Sequence, residues 1–142
     1  MPLLYYPREG EIVFCDYGRG FVAPEMVKGR PVIIVSPRLR RRGGLVAVVP
    51  LSTTPPDPAE NYHCLIALAK PLPHPFDSPT MWAKCDMLAT VSTDRLDRFK
   101  DARNRHGGAR TWRTEMVTAE ELASVKRAML CGLGLSSLTV HL

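Results

Sequence analysis

The sequence predicts a mostly β protein of the α+β class, in which short strands form a small, mostly antiparallel barrel and one C-terminal helix packs on it. Short β-branched runs bounded by glycine or proline recur through most of the chain, and such runs are typical of strands. One amphipathic segment with helix-capping signals follows near the C terminus. Because strands do not alternate with helices, a parallel sheet of βαβ units is not expected.

The length of 142 residues is enough for one domain with a modest core, so we expect residues 1–142 to form a single domain. No apolar run approaches the roughly 20 residues that span a bilayer, and the N-terminal sequence MPLLYYPREGE lacks the pattern of a signal peptide. We therefore expect a cytoplasmic protein without a membrane partner. The formal net charge of +5 permits a polyanionic partner such as nucleic acid.

Cysteine and histidine spacing predicts no metal site and no cofactor. The cysteines are far apart, without a CxxC pair, and lie in or beside apolar stretches; they are Cys15, Cys64, Cys85 and Cys131. Such positions are typical of buried free thiols rather than zinc ligands or disulfides. The scattered histidines, His63, His74, His106 and His141, include no HExxH motif. A two-histidine ribonuclease stays open as an alternative, although solvated or hydrogen-bonded histidines account better for this scatter.

The clearest strand signal is the sequence KGRPVIIVSP at residues 28–37. Its four consecutive β-branched residues, flanked by prolines, predict a buried strand over residues 31–36. Pro31 fits only the first position of that strand, because it has no N–H group to donate to a neighbouring strand. Arg30 therefore stands at the strand entrance, where a rigid element can hold a charged side chain toward a ligand.

The neighbouring segments read as the rest of a sheet. Residues 11–17 predict a first strand, with Ile12 and Phe14 on one face and Val13 and Cys15 on the other. Residues 18–29 form a loop punctuated by glycine and proline. Residues 37–44 connect the second strand to a third at residues 45–51, whose proline suggests an edge or a bulge.

The later part of the chain is less regular. Residues 53–80 are rich in proline and predict an irregular surface excursion, interrupted by a short strand at about His63–Ala67. Residues 81–91 predict another strand, residues 92–99 a short helical turn or strand, and residues 101–110 a polar, basic loop that is a candidate for mobility.

The C-terminal helix has the sharpest local signals. Thr118 and Glu121 have the spacing of a capping box. Leu122, Val125, Met129 and Leu133 recur at helical spacing, and Gly132 and Gly134 offer a stop. Core packing is the simplest explanation of this apolar stripe.

A candidate chemical site lies at one rim of the predicted sheet. Glu25 lies in the first loop, Arg30 begins the second strand, and Ser52 and Thr53 follow the third strand. A guanidinium group binds phosphate oxygens, a hydroxyl group donates to a developing oxyanion, and a carboxylate accepts a proton. On spacing alone, a surface pair of Arg30 with Glu25 and an ordinary Ser/Thr turn explain the same residues better.

A second candidate feature is the basic connection between the second and third strands, which contains Arg38, Arg40, Arg41 and Arg42. A cluster of this kind collects nucleic acid through its phosphates without choosing a base sequence. A solvated turn accounts for it equally well.

Four motifs in order resemble the MazF/PemK toxins of bacterial type II toxin–antitoxin systems. They are GEIVFCDY, similar to the family's opening strand; EMVKGRPVIIVSP, similar to its Glu, spacer, Arg-Pro and apolar strand; VVPLSTT, similar to its third strand ending in Pro-x-Thr/Ser; and WAKCDMLATVSTDRL, similar to its Trp-x-x-x-Asp segment. The resemblance covers residues 9–99, and the C-terminal helix also stands where the family has one.

The resemblance implies an SH3-like barrel, a homodimer, a cognate antitoxin partner and metal-independent endoribonuclease activity on single-stranded RNA. It implies a catalytic role for Arg30, for Ser52 as the hydroxyl and for Glu25 as the proton acceptor. Lys28 and Thr53 are then expected to contact RNA, and Thr53 competes with Ser52 as the catalytic hydroxyl because the family more commonly has threonine there. The expected products are a 2′,3′-cyclic phosphate and a 5′-OH.

Two other functions remain open on the same fold. Toxins of this architecture that poison DNA gyrase by binding it have no need of the Arg-Pro and Ser pair. A non-catalytic SH3-like binding module uses aromatic grooves, whereas this chain has few aromatic residues, with Tyr5, Tyr6 and Tyr17 near one end.

Overall fold

The computed structural model describes residues 3–101 and 111–142. In this part of the chain, strands lead to one α-helix near the C terminus. The strands are β1 (Glu11–Cys15), β2 (Arg30–Ile34), β3 (Leu45–Ser52), β4 (His63–Ala67), β5 (Thr80–Lys84), β6 (Ala89–Ser92), β7 (Leu96–Asp97), β8 (Phe99–Lys100), β9 (Trp112–Arg113) and β10 (Glu115–Met116), and the helix is α1 (Ala119–Gly132). Three 3₁₀ helices lie at Cys85–Met87, Thr93–Arg95 and Ser136–His141.

One eight-stranded sheet runs in the order β10-β1-β2-β3-β5-β4, with β6 paired to β3 and β7 paired to β1. Every pairing in it is antiparallel. Strands β8 and β9 form a separate two-stranded ribbon. The predicted α+β architecture, an antiparallel, barrel-like sheet with one C-terminal helix, is confirmed.

The position of β2 explains its continuous apolar sequence. It lies between β1 and β3, and Val32, Ile33 and Ile34 have no exposed surface. Ile33 packs into the helix-side core with Val125 of α1, whereas Val32 and Ile34 pack into a second core on the other face. A strand covered on both faces reads as an unbroken apolar run rather than an alternating one.

The predicted strand over residues 81–91 is divided in the structure. Its first part is β5, which pairs with the end of β3 at Leu51 and Ser52. The 3₁₀ helix Cys85–Met87 then redirects the chain, and β6 pairs with the first half of β3. The interruption has a packing reason: Gly132 at the end of α1 approaches this turn so closely that a Cβ atom there would lie 3.0 Å from Asp86 Cα.

The capping box of α1 is confirmed. Glu121 N–H donates to Thr118 Oγ1 at 3.1 Å, and Thr118 N–H donates to Glu121 Oε1 at 2.9 Å. Leu122, Val125 and Met129 pack into the helix-side core. The helix ends at Gly132, and Leu133, the last residue of the predicted stripe, is 60% exposed and lies outside that core.

The other predicted segments agree in part. The short strand inside the proline-rich excursion is confirmed as β4. Residues 92–99 contain the 3₁₀ helix Thr93–Arg95 followed by short strands. The predicted basic loop at 101–110 lies, apart from Asp101, outside the described residues. The cysteines are free thiols, of which Cys15 and Cys85 are buried and Cys64 and Cys131 half-buried. No helix in residues 3–101 and 111–142 is long and apolar enough to cross a membrane.

Candidate functional site

The pairing of β2 with β3 sets Arg30 across from Ser52. Val32 lies opposite Pro50 and Ile34 opposite Val48. Continuing this register by two residues places Arg30, the first residue of β2, opposite Ser52, the last residue of β3. Residues directly opposite in an antiparallel pair present their side chains on the same face of the sheet. The fold therefore brings these two predicted site residues together.

Arg30 and Ser52 line one open cleft of about 310 Å³ at the rim of the sheet. Three segments form its walls: the entrance to β2, the end of β3, and a stretch of the proline-rich excursion. The lining residues are Lys28, Gly29, Arg30, Leu51, Ser52, Thr53, Thr54, Pro75 and Phe76. Two cationic and three hydroxyl side chains thus surround a space with an aromatic wall, which suits an anionic ligand that has a flat apolar part.

One donor of the Arg30 guanidinium group is left without a partner among the described residues. Its Nε is buried and has no hydrogen-bonding partner in the described part of the chain. An unpaired buried donor costs about 1–3 kcal/mol, and more for a charged group. Arg30 as a whole is half-buried and lines the cleft, where the guanidinium fork matches the geometry of a phosphate group.

The Ser52 hydroxyl is oriented by its own turn. Its Oγ accepts a hydrogen bond from Thr54 N–H at 3.1 Å. Because the oxygen serves as acceptor in that contact, the hydroxyl proton stays available for donation into the cleft. Thr53 also lines the cleft but is exposed and lies out of register with Arg30. The geometry therefore favours Ser52 over Thr53 as the partner of Arg30.

Glu25 is exposed and lines a different pocket, of about 530 Å³. The remaining lining residues are Tyr17, Phe21, Pro24, Met26, Asp86, Met87, Leu88 and Ala89. In the described part of the chain, neither a carboxylate nor an imidazole group lines the cleft of Arg30 itself. The structure thus does not place the predicted proton acceptor beside Arg30.

Tyr17 lines the Glu25 pocket and lies close enough to Arg30 for the two side chains to interact electrostatically. Its side chain is buried and lines the Glu25 pocket. Burial raises the pKa of the Tyr17 phenol above its ordinary value, and the nearby Arg30 charge opposes that shift. The Glu25 pocket is thus lined by a buried, neutral phenol that the Arg30 charge reaches.

The four arginines of the β2–β3 connection lie at the far end of the same hairpin. Arg30 begins β2 and Ser52 ends β3, whereas Arg38, Arg40, Arg41 and Arg42 lie between the other two strand ends. The eight residues of β3 separate the two ends by roughly 23 Å. All four side chains are exposed, and Arg38 lies over the Tyr6 ring at 5.6 Å. They do not belong to the cleft.

The sequence did not point to Phe76 as a site residue. Its ring packs with those of Phe14 and Phe99, each pair of centroids being 6.3 Å apart. The preceding residues are fixed by Arg113, whose Nη1 donates to Pro71 O at 2.6 Å and whose Nη2 donates to Lys70 O at 3.0 Å. The sequence feature that could have identified it is a phenylalanine within a polar, proline-rich excursion, because such a residue needs an apolar partner elsewhere in the fold.

The described residues contain no group of three or more His, Cys, Asp and Glu side chains that could hold a metal ion. What the cleft offers is a charged fork, an available hydroxyl proton, a second cation at Lys28 and an aromatic wall. These groups can bind a phosphodiester, stabilise negative charge that develops on it, and contact an adjacent base.

Comparison with known proteins gives a consistent result. A family model described as a PemK-like, MazF-like toxin of type II toxin–antitoxin systems matches residues 8–129. The YifN protein of Escherichia coli K12 is 28% identical over 97% of this chain and 99% of its own length. An uncharacterized protein of Haemophilus influenzae is 31% identical over 93% of each chain.

Solved structures share the fold. A mycobacterial endoribonuclease in complex with its cognate antitoxin superposes with a TM-score of 0.60 at 24% identity, covering 92% of this chain and 97% of that one. MazF from Deinococcus radiodurans superposes with a TM-score of 0.58 at 17% identity, covering 92% and 98%.

Proposed function

The chain belongs to the PemK-like, MazF-like toxins of type II toxin–antitoxin systems, and from this premise we propose that it is an endoribonuclease that cuts single-stranded RNA without a metal ion. The observation that supports the proposal most is Arg30, whose buried Nε has no partner among the described residues and which lies across from Ser52 in an open cleft. The proposed reaction is attack of a ribose 2′-OH on the adjacent 3′ phosphate, which leaves a 2′,3′-cyclic phosphate and a 5′-OH.

The cleft residues have distinct proposed roles. Arg30 stabilises the charge that builds on the phosphate oxygens, since a guanidinium group holds its protons too firmly to act as a base. Ser52 donates to one of those oxygens. Lys28 and Thr53 contact the RNA backbone beside them. Arg38, Arg40, Arg41 and Arg42 collect RNA through its phosphates at the far end of the hairpin, independently of sequence.

Glu25 is the proposed proton acceptor for the 2′-OH. It lies in the adjoining pocket, on the loop between β1 and β2. The role therefore requires that this loop bring the Glu25 carboxylate toward the cleft when RNA binds. Loops between strands are the elements that make such movements in enzymes.

The proposed protein partners are a cognate antitoxin and a second copy of this chain, in the cytoplasm. A neighbour with the same fold was solved with its antitoxin, and the net charge of +5 suits an acidic partner segment. Apolar side chains continue past α1 and are exposed: Leu133, Leu135, Leu138, Val140 and Leu142. A dimer interface would cover them, and light scattering at micromolar concentration should therefore give a dimeric mass.

The central experiment incubates the purified protein with bare single-stranded RNA in EDTA, with DNA of the same sequence alongside. RNA should be cut to cyclic-phosphate ends and DNA should survive, because it lacks the attacking 2′-OH. Arg30→Ala should abolish most of the activity, whereas Arg127→Ala, which removes an exposed arginine on α1 outside the cleft, is the matched control. The proposal fails if Arg30→Ala, still folded by circular dichroism, cuts RNA at the wild-type rate.

The same experiment separates the alternatives. A toxin that acts by binding DNA gyrase, or a non-catalytic binding module, would leave bare RNA intact. Growth arrest on expression without RNA cleavage would then favour the gyrase-directed function.

A further inference from the structure

An exposed stack of cations and aromatic rings lies outside the cleft. Lys100 Nζ lies 4.1 Å and Arg98 Cζ 4.7 Å from the centroid of the Trp112 ring, and Arg98 Cζ also lies 5.5 Å from the Tyr5 centroid. Trp112 is 41% exposed and Tyr5 38% exposed. We call these four residues, Tyr5, Arg98, Lys100 and Trp112, the Trp112 stack.

The strand geometry explains why the stack faces outward. Phe99 is buried in the helix-side core, so its neighbours Arg98 and Lys100 point to the opposite side of β8. Trp112 lies directly across from Lys100 in the β8–β9 ribbon. An aromatic side chain is thus held on an outer surface by two cations, although its own neighbour Arg113 is buried.

The stack is positively charged as well as exposed. In residues 3–101 and 111–142, neither Arg98 nor Lys100 forms an ion pair with an acidic side chain. The nearby acids have other partners: Asp97 accepts a hydrogen bond from Arg98 N–H, Asp101 contacts Lys70 and Arg113, and Glu11 accepts hydrogen bonds from Tyr5 Oη and Arg8 N–H. Charge on this surface is therefore available to an anionic partner.

Direct contacts connect the stack to the cleft. Phe76 lines the cleft and packs against Phe99, Phe99 is adjacent in sequence to Lys100, and Lys100 lies on Trp112. The strand that supports the cleft wall on its inner side thus carries the stack on its outer side. RNA that extends beyond the cleft would therefore have to pass around β8 to reach the stack.

We propose that the Trp112 stack is a second binding site for single-stranded RNA, which holds nucleotides flanking the cleaved phosphodiester. One base stacks on the Trp112 ring, and Arg98 and Lys100 contact the phosphates beside it. Neighbouring aromatic and cationic side chains are typical of sites that bind single-stranded nucleic acid, because bases stack on the aromatic rings and phosphates pair with the cations. This inference depends on the proposed function, because it extends the path of the same substrate.

The cleavage site is first mapped with the wild-type protein. The test then uses two labelled RNAs that contain this site: a long RNA, and a short one that keeps only the two nucleotides joined by the cleaved phosphodiester. Trp112→Ala should raise the KM and the Kd for the long RNA by about tenfold, the loss of one stacked base. The kcat, and both constants for the short RNA, should not change. Trp112→Phe keeps a flat ring and should restore most of the affinity.

A second variant protects the test against misfolding. Lys100→Gln should lower the salt dependence of binding to the long RNA by about one phosphate contact. Leu65→Ala, a 50% exposed residue on the distant edge strand β4, is the matched control. Folded Trp112→Ala and Lys100→Gln proteins that bind long RNA like the wild type would overturn the inference while leaving the nuclease assignment intact.

Other outcomes are distinguishable. If the wild-type protein binds RNA without cutting it, the nuclease proposal fails. The role of the stack can still be decided, because the Kd of the wild type and of Trp112→Ala can be compared on a long and a truncated RNA of one fixed sequence. If Trp112→Ala keeps its RNA affinity but loses affinity for the purified antitoxin, the stack is a protein interface and the inference is wrong.

Discussion

The ring of Phe14 lies against the backbone of Gly29, in the space that a side chain at Gly29 would occupy. A Cβ atom added there would overlap the Phe14 ring. Phe14 also pairs across the sheet with Pro31 and contacts Phe76. The ring therefore sets where the backbone enters β2, and hence where Arg30 stands in the cleft.

Gly29→Ala should lower the RNA-cleavage rate by displacing Arg30. Overpacking of this kind costs about 1–3 kcal/mol of stability, so thermal unfolding should shift down as well. Gly43→Ala is the control, because a Cβ at Gly43 meets nothing within 4 Å. The double variant Gly29→Ala with Phe14→Leu should recover activity, because the smaller side chain at position 14 leaves room for the added methyl group. Full activity of the single variant would contradict the positioning argument.

Arg30 and Ser52 variants should rank in a fixed order of kcat loss. Arg30→Ala should lose about 100- to 1000-fold, the usual effect of removing one donor that stabilises developing charge. Arg30→Lys should also be impaired, since lysine keeps the charge but not the planar fork. Ser52→Ala should lose less, because a neutral donor contributes less than a charged one.

Thr53→Ala supplies the comparison for the hydroxyl, since Thr53 lines the same cleft out of register with Arg30. It should lose less than Ser52→Ala in single-turnover cleavage. The reverse order would assign the catalytic hydroxyl to Thr53.

The sequence predicted the parts of the site that depend on local pattern. The β-branched run after Arg30 placed β2, and the β2–β3 register, continued two residues beyond the Val32–Pro50 pair, then places Ser52 opposite Arg30. The helix cap at Thr118 was likewise readable. These features are encoded within a few residues of where they act.

The features that the sequence did not predict depend on packing between residues far apart in the chain. Nothing local shows that Phe76 folds back against Phe14, or that Arg113 binds carbonyl groups some forty residues earlier. The break between β5 and β6 arises because β3 pairs with two different strands and α1 packs onto the turn.

Glu25→Gln tests the proposed proton acceptor. General-base catalysis typically contributes about 100- to 10,000-fold, so loss of the carboxylate should cost at least the lower value and change the acidic side of the pH–rate profile. His74→Gln is the control, because His74 neighbours the cleft residue Pro75 but is itself exposed and pairs with Asp77 at 3.5 Å. A small loss with an unchanged profile would make Glu25 an ordinary surface residue.

Stability should fall at alkaline pH because of two buried thiols. Burial raises the pKa of Cys15 and of Cys85 to about 12. Above pH 9 or so, the unfolded chain loses thiol protons that the folded chain retains, so the free energy of unfolding falls by up to about 1.4 kcal/mol per pH unit for each thiol. The loss should continue as pH rises toward the folded-state pKa.

Urea unfolding between about pH 8 and 11 measures this slope. Cys15→Ala should have a shallower slope than the wild type, whatever its stability at neutral pH. Cys131→Ser, at a half-buried position, is the comparison. Identical slopes for the wild type and Cys15→Ala would contradict the prediction.

Arg113 should control the cleft wall from outside the cleft. It is buried, contacts Glu115 and Asp101, and donates to the carbonyl oxygens of Lys70 and Pro71. Removing one partner of a buried charged network costs about 3–5 kcal/mol, so Arg113→Ala should unfold at a markedly lower temperature. Arg113→Lys keeps the charge but loses the fork that holds two carbonyl groups at once. It should fold, lose part of the RNA-cleavage rate, and become more sensitive to proteolysis within residues 68–79.

Arg127→Lys, which changes an exposed arginine that also donates to a backbone carbonyl, is the control and should alter neither the cleavage rate nor the proteolysis. If Arg113→Lys matches the wild type in both proteolysis and cleavage rate, the excursion is held by Leu72 and the three phenylalanines without help from Arg113.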